Sequence, residues 1–293
     1  MKVNDDGELK VDPADVKPLI RLHELVNSIS LTSRWLLCTS SSLKYRSTVR
    51  LSCLSYSGPW LFFAFPTIKN IWTSSASSTP SHSPSFLLGT CSSAIHLVAH
   101  PHTTQQTSYP VKSDVFATCF LPHSSSDFLV GSRDRDMRLF DVRTPLQQKG
   151  EIVIRHGVAV SHICALSSAS VIVDGPSRCA AYDLRYPHPR SPSASFEQAT
   201  RAVRVYDRAV EEREFVICRG FDVDHTGEVM VREDSEGGFR MFSVVTGEEL
   251  KKWKSTGEEP QRWKWNGLHT TLVFDRERRL WASVGKAMEC FTY

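Results

Sequence analysis

The chain has 293 residues and a formal net charge of +3, with 41% apolar and 23% charged residues. That length suits one large domain or two small ones, and the apolar share supports a packed core, which argues against wholesale disorder. A charge this small gives no electrostatic ground for a nucleic-acid or membrane partner.

Residues Met1 to Glu8 are polar and acidic and lack the apolar run of a secretory signal. After them, Leu19, Leu22, Leu25, Val26 and Ile29 recur at a spacing of three to four residues, with Pro13 and Asp15 placed for a first turn. This predicts one short helix at the end of an N-terminal segment, residues 1–27. Residues 28–112 form a weakly defined region, free of acidic residues between Glu24 and Asp114 and dense in serine. Stretches such as RWLLCTSSSLKYRSTVRLSCLSY alternate well enough for strands, whereas the run from Ser74 to Ser85 reads as loop. The apolar stretch from Trp60 to Phe65 stops at Pro66, far short of the ~20 residues of a membrane helix. His96, His100 and His102 cluster, but in a Pro/Thr-rich stretch without a nearby carboxylate, so solvated loop histidines are expected and no metal site. The eight cysteines include no C-x-x-C pair. Cys38, Cys119, Cys164 and Cys218 sit in apolar runs as small core residues, which fits a reducing compartment, nucleus or cytoplasm.

From Ser113 onward, β-branched and aromatic runs alternate with turn clusters, the pattern of many short strands. The clearest unit, residues 113–143, reads as a strand from Val115, a polar turn, a strand from Phe128, a tight Arg-Asp-Arg-Asp turn and a strand ending near Val142. A second unit ends at Arg185 and a third at Leu250. Asp141 and Asp183 hold the same place in their units and lie 42 residues apart, inside the ~40–45 residue period of propeller blades. The third equivalent, Ser243, lies 60 residues further on, because a Pro/Ser-rich loop is expected over 186–214. The turn Glu233–Gly238 should close a hairpin between Met230 and Phe239. Weaker units are FLLGTCSSAIHLV (86–98) and the closing LVFDRERRLWASVGKAMECFTY.

No G-x-G-x-x-G, P-loop, H-E-x-x-H or G-x-S-x-G motif occurs, so no enzyme chemistry, cofactor or small-molecule substrate is expected. Basic and aromatic residues mix in WKSTGEEPQRWKW (253–265) and RERR (276–279), a pattern that can stack on RNA. Glu258, Glu259 and Glu277 interrupt both runs, so nucleic acid is not the expected partner.

FLVGSRDRDMRLFDVR (128–143) resembles the second half of a WD repeat, with Phe140 in place of the usual tryptophan before Asp141. FDVDHTGEVMV and FRMFSVVTGEEL are similarly close, with Thr246-Gly247 in the outer hairpin. The resemblance covers roughly residues 86–293 and implies an all-β propeller, expected to have seven blades, with the well-defined ones in 113–293. It also makes Asp134 the structural turn aspartate that ties strands together through hydrogen bonds. The second unit departs from the pattern: Pro176 replaces that aspartate, and His156 is only a loose stand-in for the missing Gly-His dipeptides.

FDVR (140–143) and YDLR (182–185) each place an arginine two residues after the unit-ending aspartate. Such a double box resembles that of the WD-repeat substrate receptors of cullin-4 ubiquitin ligases, which dock through it onto the large damage-specific DNA-binding adaptor. The resemblance implies adaptor binding by Asp141, Arg143, Asp183 and Arg185, with an unknown target protein as the second partner. The plainer alternative is that both arginines pair inside their own blades, leaving a WD-repeat scaffold of another kind, for instance in RNA processing or ribosome building.

Overall fold

The computed structural model describes residues 2–3, 9–10, 25–32, 35–41, 47–53, 61–64, 70–79, 83–100, 103–144, 150–186, 199–208, 220–233, 238–253, 272–275, 279–284 and 287–292. Among them every regular element is a strand. A two-stranded pair, β1 (Lys2–Val3) with β2 (Leu9–Lys10), precedes six antiparallel sheets. The first holds β3 (Leu25–Leu31), β4 (Trp35–Ser41), β5 (Ser47–Cys53) and β6 (Leu61–Ala64), and the second β7 (Thr73–Ala76), β8 (Ser85–Gly89), β9 (Ser93–Ala99) and β10 (Thr104–Pro110). The third holds β11 (Val115–Phe120), β12 (Asp127–Ser132), β13 (Asp136–Asp141) and β14 (Glu151–Arg155). The fourth holds β15 (His162–Ala165), β16 (Ser170–Gly175), β17 (Arg178–Asp183) and β18 (Arg204–Arg208). β19 (Phe221–Val223), β20 (Val229–Glu233), β21 (Phe239–Ser243) and β22 (Glu249–Trp253) form the fifth, and β23 (Leu272–Phe274), β24 (Arg279–Val284) and β25 (Ala287–Thr292) the sixth.

Within each sheet the strands pair in chain order, and the first strands of consecutive sheets lie against one another, from β3 through β7, β11, β15 and β19 to β23. The sheets therefore stand side by side like blades, and their shared faces make the core. Alternate residues of one strand serve two seams. Leu129 packs with Val171 and Val173 of the next sheet, whereas Phe128 and Val130 pack back on Leu87 and Tyr109 of the previous one. Ile172 turns the other way, toward Met230 and Phe242 of the fifth sheet. Burial on both faces is why FLVG and VIVD read as unbroken apolar runs rather than as alternation. The close approach of inner strands also fixes Gly89, where a Cβ would lie 2.5 Å from the Val115 carbonyl oxygen.

Hydroxyls join the inner strands of the early sheets. Ser28 and Ser30 of β3 both meet Ser74 of β7, at 2.8 and 2.7 Å, and Ser75 meets Thr118 of β11 at 3.0 Å. Serine-rich residues 28–112 thus contain two complete four-stranded sheets.

Two expectations need correction. Leu25, Val26 and Ile29 lie in strand β3 and not in a helix, and residues 13–24 lie outside the described residues. In β3 the serines face the neighbouring sheet while Ile29 and Leu31 are exposed, so the apolar spacing misleads. The expected loop 186–214 contains β18, the fourth strand of its sheet, paired with β17 from Ala181↔Arg204 to Arg178↔Arg208. The hairpin expected at Glu233–Gly238 is flanked by paired strands, with Glu233 opposite Phe239; residues 234–237 lie outside the described residues.

Candidate functional site

β13, β17 and β21 each end in a turn that leads to the outermost strand of the sheet. The same backbone bond closes the first two turns, Thr144 N–H to the Asp141 carbonyl and Tyr186 N–H to the Asp183 carbonyl (both 3.1 Å). In the third, the equivalent Thr246 N–H meets the Ser243 hydroxyl (3.1 Å) and Gly247 N–H, one residue later, the Ser243 carbonyl (2.8 Å). Each turn is also tied to the first hairpin of its own sheet, by Val142 N–H to Ser126, Leu184 N–H to Ala169 and Val244 N–H to Glu228. All three therefore lie at the same end of their sheets. Arg143, Arg185 and Val245 are the equivalent residues, and all three are exposed.

The two arginine turns are near copies. The Asp141 carboxylate accepts the Arg143 backbone N–H (2.9 Å), Nε–H (2.9 Å) and Nη2–H (2.8 Å). Asp183 accepts the same three donors of Arg185, at 2.9, 3.0 and 2.6 Å. Side-chain exposure is 70% for Arg143 and 71% for Arg185. One edge of each guanidinium is thus clamped by its aspartate, while Nη1 donates no hydrogen bond to any described residue. The hydrogen bonds from Arg143 hold the Asp141 carboxyl below the usual carboxylate range, and those from Arg185 do the same for Asp183. Chelation restricts the rotamers of a long side chain before any partner arrives, which lowers the entropy cost of binding. Arg143 also has Asp127 at 3.8 Å, whereas Ser170 occupies the corresponding place opposite Asp183. Arg185 is therefore the less neutralised of the two. Internal pairing and exposure hold together here, so the two roles expected for these arginines are not exclusive.

Tyr186, 75% exposed, follows Arg185, and Val245, 64% exposed, takes the arginine's place in the fifth sheet. Neither was singled out from the sequence. Alignment of the third unit onto the first two, residue by residue from Ser243, marks Val245.

Asp134 sits in the β12–β13 turn and accepts the Ser132 hydroxyl (2.6 Å) and two Arg138 N–H groups (2.7 and 3.2 Å). Burial pushes its carboxyl upward, but these bonds outweigh that and keep it below the usual range. In the fourth sheet the stand-in histidine proves central: His156, fully buried, meets the Tyr182 hydroxyl at 2.8 Å and the Arg178 carbonyl at 3.1 Å. His96 is buried in β9 beside Phe120 and so is not a solvated loop histidine; His100, half-buried after β9, meets Ser83 at 2.9 Å, and His102 lies outside the described residues. Among the described residues no group of three His, Cys, Asp or Glu could hold a metal ion. Of the two basic-aromatic runs only Trp253 and Arg279 are described, and Arg279 pairs with Asp275 at 2.7 Å.

No protein-family model matches the sequence, and no curated protein matches it. Among solved structures, the β-propeller domain of Cps50 (Swd1) from Myceliophteria thermophila is similar over 92% of this chain and 83% of that one, with a TM-score of 0.64 at 11% identity. The chain has the β-propeller fold. The computationally designed Ika8 protein is also similar, with a TM-score of 0.57 at 11% identity over 92% of this chain and 71% of its own. The six sheets are accordingly blades, and the turns carrying Arg143, Arg185 and Val245 belong to one face of the propeller.

Proposed function

We propose that this propeller is a protein-interaction scaffold of the WD-repeat type, not a catalyst, and that it is a substrate receptor docking onto the adaptor of a cullin-4 ubiquitin ligase. The observation that carries this reading is the repetition of one device on adjoining blades. Arg143 and Arg185 sit at equivalent turns, each chelated by its own aspartate and each about 70% exposed. An intramolecular pair at that exposure adds little to folding, so selection for stability alone does not account for two copies. A clamped guanidinium with a free Nη1 edge is suited to grip a carbonyl or carboxylate on a partner. Tyr186 and Val245 beside the pair supply apolar area, and aromatic and arginine side chains are the usual anchors of protein interfaces. The opposite face is left for the target protein.

The test is the double variant Arg143→Ala/Arg185→Ala, assayed for melting and for adaptor capture with purified components. The expected result is a Tm close to that of the parent together with loss of the adaptor. A large fall in Tm with adaptor capture retained refutes the receptor assignment and leaves both arginines as structural residues.

A further inference from the structure

At the other end of β13, about 17 Å from Asp141 for a strand of this length, the chain carries a second cluster of cations. The Arg133 N–H donates to the Asp114 carbonyl (2.9 Å) and the Asp134 N–H to the Ser113 hydroxyl (3.2 Å), which ties the segment before β11 to the β12–β13 turn. Lys112, Arg133 and Arg135 are all exposed there. The carboxylates of this surface are already occupied. Asp114 pairs with Arg133 at 3.4 Å, Asp134 with Arg138 at 2.7 Å, and Asp136 with Arg138 at 3.3 Å and Arg155 at 3.6 Å. Lys112 and Arg135 are left over, without a carboxylate partner among the described residues.

Both surplus cations also stand on left-handed backbone, Lys112 at φ 66° and Arg135 at φ 75°. Glycine occupies that region without penalty, whereas a side chain with a Cβ is strained there. Backbone strain of this kind clusters where a side chain serves a ligand. Of the four non-glycine residues on left-handed backbone among the described residues (Asn70, Lys112, His123 and Arg135), the two on this surface are both cations without a carboxylate partner among those residues.

We propose that this surface is the docking site for an acidic segment of a protein, with Lys112 and Arg135 binding its aspartate or glutamate carboxylates and Arg133 beside them. Charge and composition favour a peptide over RNA. Asp114, Asp134 and Asp136 are already paired with Arg133, Arg138 and Arg155, and the two surplus cations match one or two carboxylates rather than a continuous run of phosphates. Base stacking also has no platform here, since among the described residues the exposed aromatic is Tyr186, at the opposite end of the blades.

The experiment measures binding of fluorescein-labelled hexaglutamate, and of a labelled six-nucleotide oligouridylate, to the full chain by fluorescence anisotropy. Lys112→Gly/Arg135→Gly is the test variant, and Lys251→Ala, at an exposed lysine of β22, the control. Hexaglutamate should bind the parent and the control alike and weaken with added salt. In the glycine variant its affinity should fall about tenfold or more, while Tm stays level or rises because glycine relieves the strain. The proposal is overturned by any of four results: no hexaglutamate binding, retention of binding by the glycine variant, tighter binding of oligouridylate through the same residues, or a lower Tm in the glycine variant. Loss of binding in the control is a fifth such result, since it moves the site to β22. No adaptor is present, so failure here and failure of the receptor assignment are told apart.

Discussion

Asp174 of the fourth blade and Arg232 of the fifth meet across the seam at 3.1 Å, with side-chain exposures of only 2% and 3%. The same guanidinium lies 3.3 Å from the Gly175 carbonyl, and His162 lies 3.4 Å from the other carboxylate oxygen of Asp174. Burial pushes the Asp174 carboxyl upward, but the Arg232 charge and the His162 contact outweigh it. Removing one partner strands the other charge in the core, so Asp174→Ala or Arg232→Ala should each cost about 3–5 kcal/mol. The double variant should cost clearly less than the sum of the two. Urea unfolding of the three variants checks this; simple additivity would show that the pair does not act as a unit.

Asp222, on the inner strand of the fifth blade, reaches the sixth by accepting the Phe274 N–H at 2.7 Å. Burial lifts its carboxyl to about 6, partly offset by that bond, with Asp224 adding to the rise and His162 opposing it. Folding therefore takes up a proton between the unfolded value of about 4 and the folded value. The stability this supplies is present below about pH 4 and is lost as pH rises through 6. Asp222→Asn keeps the acceptor and cannot ionise. It should be more stable than the parent at neutral pH, by at most about 3 kcal/mol, with the difference closing toward pH 4. Unfolding curves across that range decide; a constant difference would show that ionisation is not the cause.

His156 works in the opposite sense. Burial lowers its pKa to about 4, so the stability of its neutral form is present above the unfolded value of about 6.5 and is lost as pH falls toward 4. Tyr182→Phe leaves His156 Nδ1 without its 2.8 Å partner and should cost about 1–3 kcal/mol. His156→Gln should be less stable at neutral pH but lose less on acidification, which a pH series of melting curves reads directly.

The clamp itself can be separated from the arginine. Asp183→Asn keeps Arg185 but removes the charge that holds its Nε and Nη2 edge. Tm should stay near that of the parent, and, on the proposed docking, adaptor affinity should fall by about tenfold or less, short of the loss in Arg185→Ala. Equal losses in the two variants would show that orientation, not the guanidinium's own contact, carries the binding.

The strands of units 113–143 and 157–185 were legible because Phe128–Val130 and Val171–Val173 are buried on both faces, and turn residues bracket them. The aspartate-arginine turns were legible as a repeat, but their clamped, exposed geometry was not, since spacing says nothing about which edge of a guanidinium is taken. β18 was missed because the Pro/Ser-rich run before it suggests a loop, and three of its five residues are charged. β3 was missed for a deeper reason. Its serines face the next blade and hydrogen-bond there, while Ile29 and Leu31 are exposed, reversing the usual rule that apolar residues point inward. His156 was undervalued because its partners, the Tyr182 hydroxyl and the Arg178 carbonyl, lie more than twenty residues away in the sequence.

The outer strands β14, β18 and β22 each slip register once against their neighbours, at Met137/Arg138, Cys179/Ala180 and Met241/Phe242, and each carries charged residues. A kinked, charged margin makes a poor template for another chain, so crowded copies of these blades meet without zipping together. β6 and β10 lack both safeguards: β6 pairs with β5 over four residues and β10 with β9 over seven, neither with a shift, and both are uncharged. Self-association under stress would therefore begin at the rims of the first two blades, where only the terminal Pro110 of β10 interrupts the rows of donors.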